Sequence, residues 1–151
     1  GVDPTPRWCF YDDMGDVLDQ IAKCDCLLFG SPVYFDTVSA QAKMLIDRCN
    51  CFRPAEFGDD DEEVGFIKRI SRTRPGAMVL VGGENGYFEG ARRTIAGYFK
   101  WIEVTNEGLL TYSSSSMNKR GTAADDAEIL AEADKLGQHL AGVLLERANK
   151  D

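Results

Sequence analysis

Apolar residues recur along this chain at two spacings, and together the spacings predict alternating helices and strands. Four residues near the start follow the i, i+3, i+4, i+7 spacing of an amphipathic helix: Met14, Val17, Leu18 and Ile21. They predict a helix from about Asp13 to Lys23. The next apolar run, Leu27 to Phe29, predicts a short strand buried on both faces.

A sharp loop and a second helix are predicted after that strand. Gly30, Ser31 and Pro32 favour a tight turn. Three residues then recur at helical spacing, with Ser39 or Thr37 as the N-cap: Ala42, Leu45 and Ile46. Because open α/β sheets bind ligands at loops that leave the carboxyl ends of parallel strands, this stretch is the first candidate site.

The same rhythm continues in the second half. A long connection from Cys51 to Pro75 contains an acidic stretch and a short helical turn predicted around Phe66, Ile67 and Ile70. Further elements follow in order: a buried strand at Ala77–Val81, a glycine-rich loop, a helix at Glu89–Lys100, a strand at Gly108–Tyr112 and a last helix that begins at Thr122 or Asp125. Helices alternating with strands indicate a doubly wound parallel α/β sheet, of which this chain supplies about three strands.

Composition and charge narrow the function. The 151 residues are 44% hydrophobic, enough for the core of one domain, and carry a net charge of −8. An acidic chain without a basic stripe argues against a nucleic-acid partner. No apolar run is long enough to span a membrane and the start shows no export leader, so we expect a soluble, cytoplasmic protein. We expect its five cysteines to be reduced thiols or metal ligands rather than disulfides.

The first candidate loop carries a family resemblance. GSPVYF and the later KMLIDR run resemble the flavin-binding loop and helix of the flavodoxin-like NAD(P)H-dependent FMN reductases, which include the iron-sulfur flavoproteins. The run from Cys9 to Met14 and the pattern from Ala133 to Ala141 are similar to the same family, more weakly. The resemblance implies a flavodoxin-like fold, bound FMN and NAD(P)H as the electron donor.

Two loops are the expected cofactor site. The residues expected to contact the ring and ribityl chain are Ser31, Pro32, Val33, Tyr34, Phe35 and Thr37, and those expected to close the other side are Gly82, Gly83, Glu84 and Gly86. Backbone amides and an aromatic wall suffice, because FMN itself carries the redox chemistry. The alternative is that Tyr34 and Phe35 are core aromatics. Asp36 stands where many members of the family have glycine, and a carboxylate there disfavours an anionic reduced ring.

The resemblance also implies parts that this sequence does not contain. Members of the family begin with a strand, a phosphate-binding loop, a helix and a second strand. We therefore expect residues 1–151 to form one flavodoxin-like domain that is incomplete at its N-terminus, either as a piece of a longer polypeptide or as a subunit whose sheet a partner chain completes. The exposed strand edge and the habit of the family favour a homo-oligomer.

Other candidate chemistry is weaker. Cys24 with Cys26 and Cys49 with Cys51 form two C-x-C pairs near the amino ends of the strands, where small buried thiols are favoured over zinc or an iron-sulfur cluster. Cys9 matches the last cysteine of the cluster motif in the resembled family, but the preceding cysteines are absent, so no metal ligand is assigned. His139, with no acid partner in the sequence, is interpreted as a flank residue, and no catalytic residue is assigned.

Three functions remain open. The first is an FMN-dependent oxidoreductase that passes electrons from NAD(P)H to a quinone, a flavin or a protein. The second is an electron-transfer flavoprotein, with or without an iron-sulfur cluster. The third is a flavin-free binding or assembly subunit. Flavin absorbance separates the first two from the third, and bleaching by NAD(P)H separates the first from the second.

Overall fold

The computed structural model describes residues 12–58, 62–83, 86–114 and 121–149. Its helices and strands are, in chain order, α1 (Met14–Lys23), β1 (Leu27–Tyr34), β2 (Thr37–Val38), α2 (Ala40–Arg48), β3 (Ala55–Phe57), β4 (Glu63–Phe66), β5 (Arg74–Gly82), α3 (Glu89–Trp101), β6 (Val104–Ser113) and α4 (Ala127–Ala148). No helix in these ranges is long and apolar enough to cross a membrane.

The main sheet has the strand order β2-β1-β5-β6. Strands β1, β5 and β6 run parallel, and β2 pairs antiparallel with the last two residues of β1, Val33 and Tyr34. Strands β3 and β4 form a separate antiparallel pair. The three predicted parallel strands and the helices between them are therefore present, which confirms the doubly wound α/β class.

One face of the sheet holds the core. Phe29 of β1 and Met78 and Leu80 of β5 are buried there against Leu18 of α1 and Ile95 of α3. Helix α2 has no fully buried residue, but its predicted apolar stripe packs against this core. The amphipathic patterns of α1 and α2 thus predicted their packed faces correctly.

The other face is only partly covered, so the prediction that β1 is buried on both faces was wrong. Helix α4 lies over this face beside β6, where a Cβ on Gly108 would overlap Leu136. Toward β1 the face is open: the Leu28 side chain is 61% exposed and that of Val81 44% exposed. Burial alternates along β1, as in a strand with one covered face.

The turn predicted at Gly30, Ser31 and Pro32 was also wrong. Strand β1 continues through these residues because each pairs with β5, in the register Gly30 to Val79, Ser31 to Leu80 and Pro32 to Val81. Proline has no amide to donate, and β1 accepts it because β2 pairs only with the two residues beyond it. The tight turn comes later, at residues 35–36.

Two further boundaries differ from prediction. Phe66 ends β4 instead of forming a helical turn with Ile67 and Ile70; it pairs with β3 and its ring lies edge-on to Trp101, with centroids 5.4 Å apart. The last helix begins at Ala127, because the carboxylate of Asp126 accepts hydrogen bonds from the first-turn amides. Residues 122–125, predicted as its start, form a separate short 3-10 turn.

Arg74, the first residue of β5, is almost fully buried, and no carboxylate bonds to it among the described residues. Its guanidinium donates to the carbonyl of Ile21 near the end of α1 and to that of Ile102 at the end of α3, the latter at 2.6 Å. Helix C-termini carry unpaired carbonyls and partial negative charge. Arg74 therefore satisfies two helix ends at once and joins them to the central strand.

We predict that Arg74→Met lowers the free energy of unfolding by roughly 3 kcal/mol, because two buried carbonyls lose their donors. Arg72→Met is the matched control. Arg72 also donates to carbonyls at the end of α1, but its side chain is half exposed and water can replace it. Urea denaturation checks the difference, and equal losses in the two variants would contradict the role given to Arg74.

Candidate functional site

Strands β1 and β5 bring the two predicted loops to the same end of the sheet, where the strands have their carboxyl ends. Ser31 is in register with Leu80 and Pro32 with Val81, so the backbones lie about 4.8 Å apart where the strands approach their carboxyl ends. The first loop follows β1 and the second follows β5. They therefore leave adjacent strands on the ligand-binding side of an open α/β sheet.

The first loop is a tight hairpin turn between β1 and β2. Its two central residues, Phe35 and Asp36, both have positive φ, at 51° and 59°. This is the backbone of a type I′ turn, which normally takes Asn or Gly. Phe35 is fully exposed, and Tyr34 before it is 61% exposed. These two aromatics are therefore not core residues, which removes the alternative considered for them.

The hydroxyl of Ser31 faces inward. It donates to the carbonyl of Pro32 at 2.7 Å and accepts from the amide of Ser39 at 3.0 Å. Ser39 is the N-cap of α2, with its own Oγ accepting from the amide of Ala42 at 3.2 Å. This confirms Ser39 rather than Thr37 as the cap, and Thr37 lies exposed in β2. Ser31 thus anchors the start of α2, which leaves only its backbone for a ligand.

The second loop is built around the ring of Phe88. A Cβ on Gly82 would lie 2.9 Å from that ring, and one on Gly86 would lie 2.7 Å from Ser113 Oγ. Gly86 also has φ of 49°, which favours glycine. Gly83 differs from both, because its Cβ position meets none of the described residues within 4 Å. Glu84, the remaining predicted residue of this loop, lies outside the described residues.

A hydrogen bond connects the first loop to the helix that follows the second. Asp36 Oδ1 accepts from the amide of Gly90 at 2.9 Å, and Gly90 is the second residue of α3. The carboxylate of Asp36 therefore lies at the positive end of a helix.

Sequence reasoning placed Phe88 and Gly90 in the glycine-rich stretch GGENGYFEG but did not assign either to the candidate site. Phe88 lies within that stretch, and an aromatic at that point is a usable signal for a ring folded under the loop. Gly90 lies at the start of a predicted helix, where glycine is unfavourable unless another backbone approaches closely. In this structure that backbone is Asp36. Neither signal identifies the partner from the sequence alone.

The cysteine pairs lie at the opposite end of the sheet. Cys24 is within 3.4 Å of Arg74, and Cys49 is buried with its sulfur 3.6 Å from the hydroxyl of Tyr98. Burial raises the pKa of Cys49 and raises that of Cys51 to about 12, so both stay protonated thiols at neutral pH. Within the described ranges no three His, Cys, Asp or Glu side chains form a metal-binding group. Cys9 lies outside those ranges.

His139 has an acid partner after all. Its Nε2 is 3.6 Å from a carboxylate oxygen of Glu107, near the start of β6. The pair lies toward the amino ends of the strands, away from the two loops, and the histidine is half exposed. It therefore supplies nothing to the candidate site.

The family of the chain is shown by comparison of its sequence. A family model described as NADPH-dependent FMN reductase matches residues 5–107, more than half of the chain and both candidate loops. An iron-sulfur flavoprotein of Methanocaldococcus jannaschii is 32% identical over 139 residues, covering 88% of this chain and 65% of that protein. A putative NAD(P)H-dependent FMN-containing oxidoreductase of Bacillus subtilis is 24% identical, covering 83% and 65%.

Solved structures share the fold of this chain. The solved structure of a flavone reductase superimposes with a TM-score of 0.63 at 14% identity, covering 91% of this chain and 48% of the other. At that identity the similarity shows the fold alone. The chain spans about two thirds of the length of the curated relatives described above.

We predict that alanine at two adjacent glycines changes the free energy of unfolding differently. Gly82→Ala lowers the free energy of unfolding by about 1 kcal/mol or more, because its methyl displaces the Phe88 ring. Gly83→Ala leaves stability unchanged or raises it slightly, because its methyl points into open space and alanine restricts the unfolded chain. Urea denaturation measures both, and a Gly83→Ala protein less stable than Gly82→Ala contradicts the loop packing.

Proposed function

The chain belongs to the NADPH-dependent FMN reductase family, and from this we propose that it is a flavoprotein oxidoreductase whose two loops hold the ring of FMN. The observation that carries the proposal is the placement of both loops at the carboxyl ends of adjacent parallel strands, with exposed aromatics on one and an open glycine on the other. A loop pair of this kind is the usual ligand site of the architecture.

The described residues fit a planar ring. Gly83 leaves space where another residue would have a side chain, so a ligand can approach the backbone closely. Tyr34 and Phe35 offer aromatic surface from the other loop. Pro32, Val33, Thr37, Gly82, Gly86 and the backbone of Ser31 complete the proposed contacts, together with Glu84. When bound, FMN supplies hydride and electron transfer, and the chain has to hold the ring and exclude water around it.

The phosphate of FMN has a different requirement. A dianion needs free backbone amides, which helix N-termini often supply. In the two helices that follow the loops, an amide that such a site would use is already bonded: Ala42 N–H to Ser39 in α2 and Gly90 N–H to Asp36 in α3. We therefore propose that the phosphate is held by a segment beyond residues 1–151 or by a partner chain.

For the whole protein we propose the first of the three functions, with NAD(P)H as donor and a quinone, a flavin or a protein as acceptor. The similarity to an iron-sulfur flavoprotein favours electron transfer as the second candidate. In that case the ligands of the cluster have to lie beyond the described residues, since no suitable group is found within them.

We expect FMN to bind the 151-residue chain with a dissociation constant weaker than micromolar, because the ring is held and the phosphate is not. Fluorescence titration measures it. Gly83→Ala weakens binding by about tenfold, as expected for a methyl group that blocks close approach. Gly97→Ala is the control, because this glycine of α3 also has open space around its Cβ position and lies in mid-helix.

Three outcomes would change the proposal. Micromolar or tighter binding contradicts an external phosphate site. A protein that stays colourless with excess FMN contradicts flavin binding and leaves the flavin-free assembly role. With flavin bound, loss of the oxidised absorbance on adding NADPH or NADH supports the reductase, whereas an unchanged spectrum favours the electron-transfer protein.

We also propose that a further strand covers the open side of β1, from the same polypeptide or from a second copy of the chain. On that side the described residues pair only at Val33 and Tyr34, and the adjoining face exposes Leu28 and Val81. An unpaired edge beside exposed apolar side chains favours association.

Light scattering tests whether a second copy of the chain covers the open side of β1. We expect a mass of at least twice the 16.7 kDa of one chain, and Leu28→Lys is expected to reduce it to the monomer, since a charge cannot be buried unpaired. Met44→Lys, at an exposed position of α2, is the control that keeps the wild-type mass. A wild-type monomer would exclude association of copies through this face.

A further inference from the structure

Helix α3 begins without a capping side chain of its own. Its N-cap residue is Phe88, which has no side-chain acceptor, so the first-turn amides of this helix receive no hydrogen bond from the N-cap side chain. An N-cap oxygen normally accepts from the second or third helical amide. Here the second helical residue is Gly90, and its amide donates to Asp36 Oδ1 at 2.9 Å from 54 residues away.

The backbone conformation of Asp36 and the missing side chain of Gly90 both allow this contact. Asp36 has φ of 59°, a conformation that most side chains avoid and that Asp and Asn tolerate best after glycine. A Cβ on Gly90 would overlap the backbone oxygen of Asp36 and lie 2.9 Å from its Oδ2. Close approach therefore requires glycine on the helix and a short acidic or amide side chain on the turn. Strand β2, which follows the turn, also packs against α3.

The contact joins the two proposed flavin loops. Asp36 belongs to the turn that carries Tyr34 and Phe35, and Gly90 lies two residues after Phe88, around which Gly82 and Gly86 fold. Holding the turn against α3 thus sets the separation between the exposed aromatics of the first loop and the glycines of the second loop. The same bond places the Asp36 carboxylate on the positive end of a helix, which offsets its charge.

We propose that Asp36 is a positioning residue: by capping α3 from the first loop it holds both loops at the separation that accepts a flavin ring. The effect on flavin binding rests on the proposed function, whereas the hydrogen bond between Asp36 and Gly90 does not. It reverses the role expected from the sequence, where this carboxylate was an electrostatic hindrance to the reduced flavin.

Four variants test it in the full 151-residue chain. Asp36→Gly removes the carboxylate and keeps the positive φ without strain, and Asp36→Asn keeps an oxygen acceptor and removes the charge. Gly90→Ala breaks the contact from the helix side. Asp126→Gly is the matched control, because it removes the N-cap carboxylate of α4, which makes no contact of this kind with either loop.

The first measurement is hydrogen exchange of the Gly90 amide without FMN. We expect exchange at least tenfold faster in Asp36→Gly, and near the wild-type rate in Asp36→Asn and Asp126→Gly. Wild-type protection in Asp36→Gly would overturn the proposal. Because this readout needs no cofactor, it separates failure of the cap from failure of flavin binding, which the wild-type FMN titration decides.

The second measurement is the dissociation constant of FMN. We expect it to rise about tenfold in Asp36→Gly, the size expected for loss of a hydrogen bond to a charged group, and to be restored within about threefold by Asp36→Asn. Gly90→Ala is expected to weaken binding at least as much as Asp36→Gly, because its methyl also displaces the backbone oxygen of Asp36. Asp126→Gly loses stability but keeps its affinity. Unchanged affinity in Asp36→Gly, or in Gly90→Ala, would overturn the positioning role.

Discussion

A buried arginine at the start of the central strand fixes the arrangement on which the rest of the structure depends. Arg74 donates to carbonyls at the C-terminal ends of α1 and α3, and none of its described partners is a carboxylate. Since a charged group is costly to bury unpaired, two helix ends must converge on the beginning of β5 to hold it. With the C-termini of these helices held at one end of the sheet, the N-terminus of α3 is fixed at the other end, beside the loops.

The two ends of the sheet therefore differ in chemistry. At the amino ends of the strands, helix carbonyls are met by cations, with Arg53 at the end of α3 and Arg72 at the end of α1 repeating the pattern of Arg74. At the carboxyl ends, helix amides are met by oxygens from Ser39 and Asp36. Positive φ angles do not distinguish the two ends, because they occur at Phe35 and Asp36 in the first loop and at Glu103 just before β6.

Much of this could be predicted from the sequence, because amphipathic periodicity is a local signal. The stripe from Met14 to Ile21 was sufficient to place α1, and the glycines after Val81 to place the second loop. Local signals failed where pairing between distant residues decided the outcome. Gly30, Ser31 and Pro32 resemble a turn, yet β5 holds them in a strand. Leu28 resembles a buried residue, yet burial depends on what covers that face.

The candidate site shows the same contrast between what local signals predict and what contacts between distant residues decide. The second loop was found from the sequence, since its glycines mark it locally. The first loop was placed at Gly30 to Pro32, whereas the turn lies at residues 35–36. The hydrogen bond of Asp36 was not found, because its partner lies 54 residues away and a glycine amide has no signature in the sequence. From the sequence, a carboxylate beside the expected flavin ring suggested electrostatic repulsion. The carboxylate instead accepts a hydrogen bond from the first turn of α3, so its charge lies at the positive end of that helix. Asp36 therefore joins the turn after β1 to the helix that follows the second loop, a contact between distant residues that no local pattern in the sequence predicts.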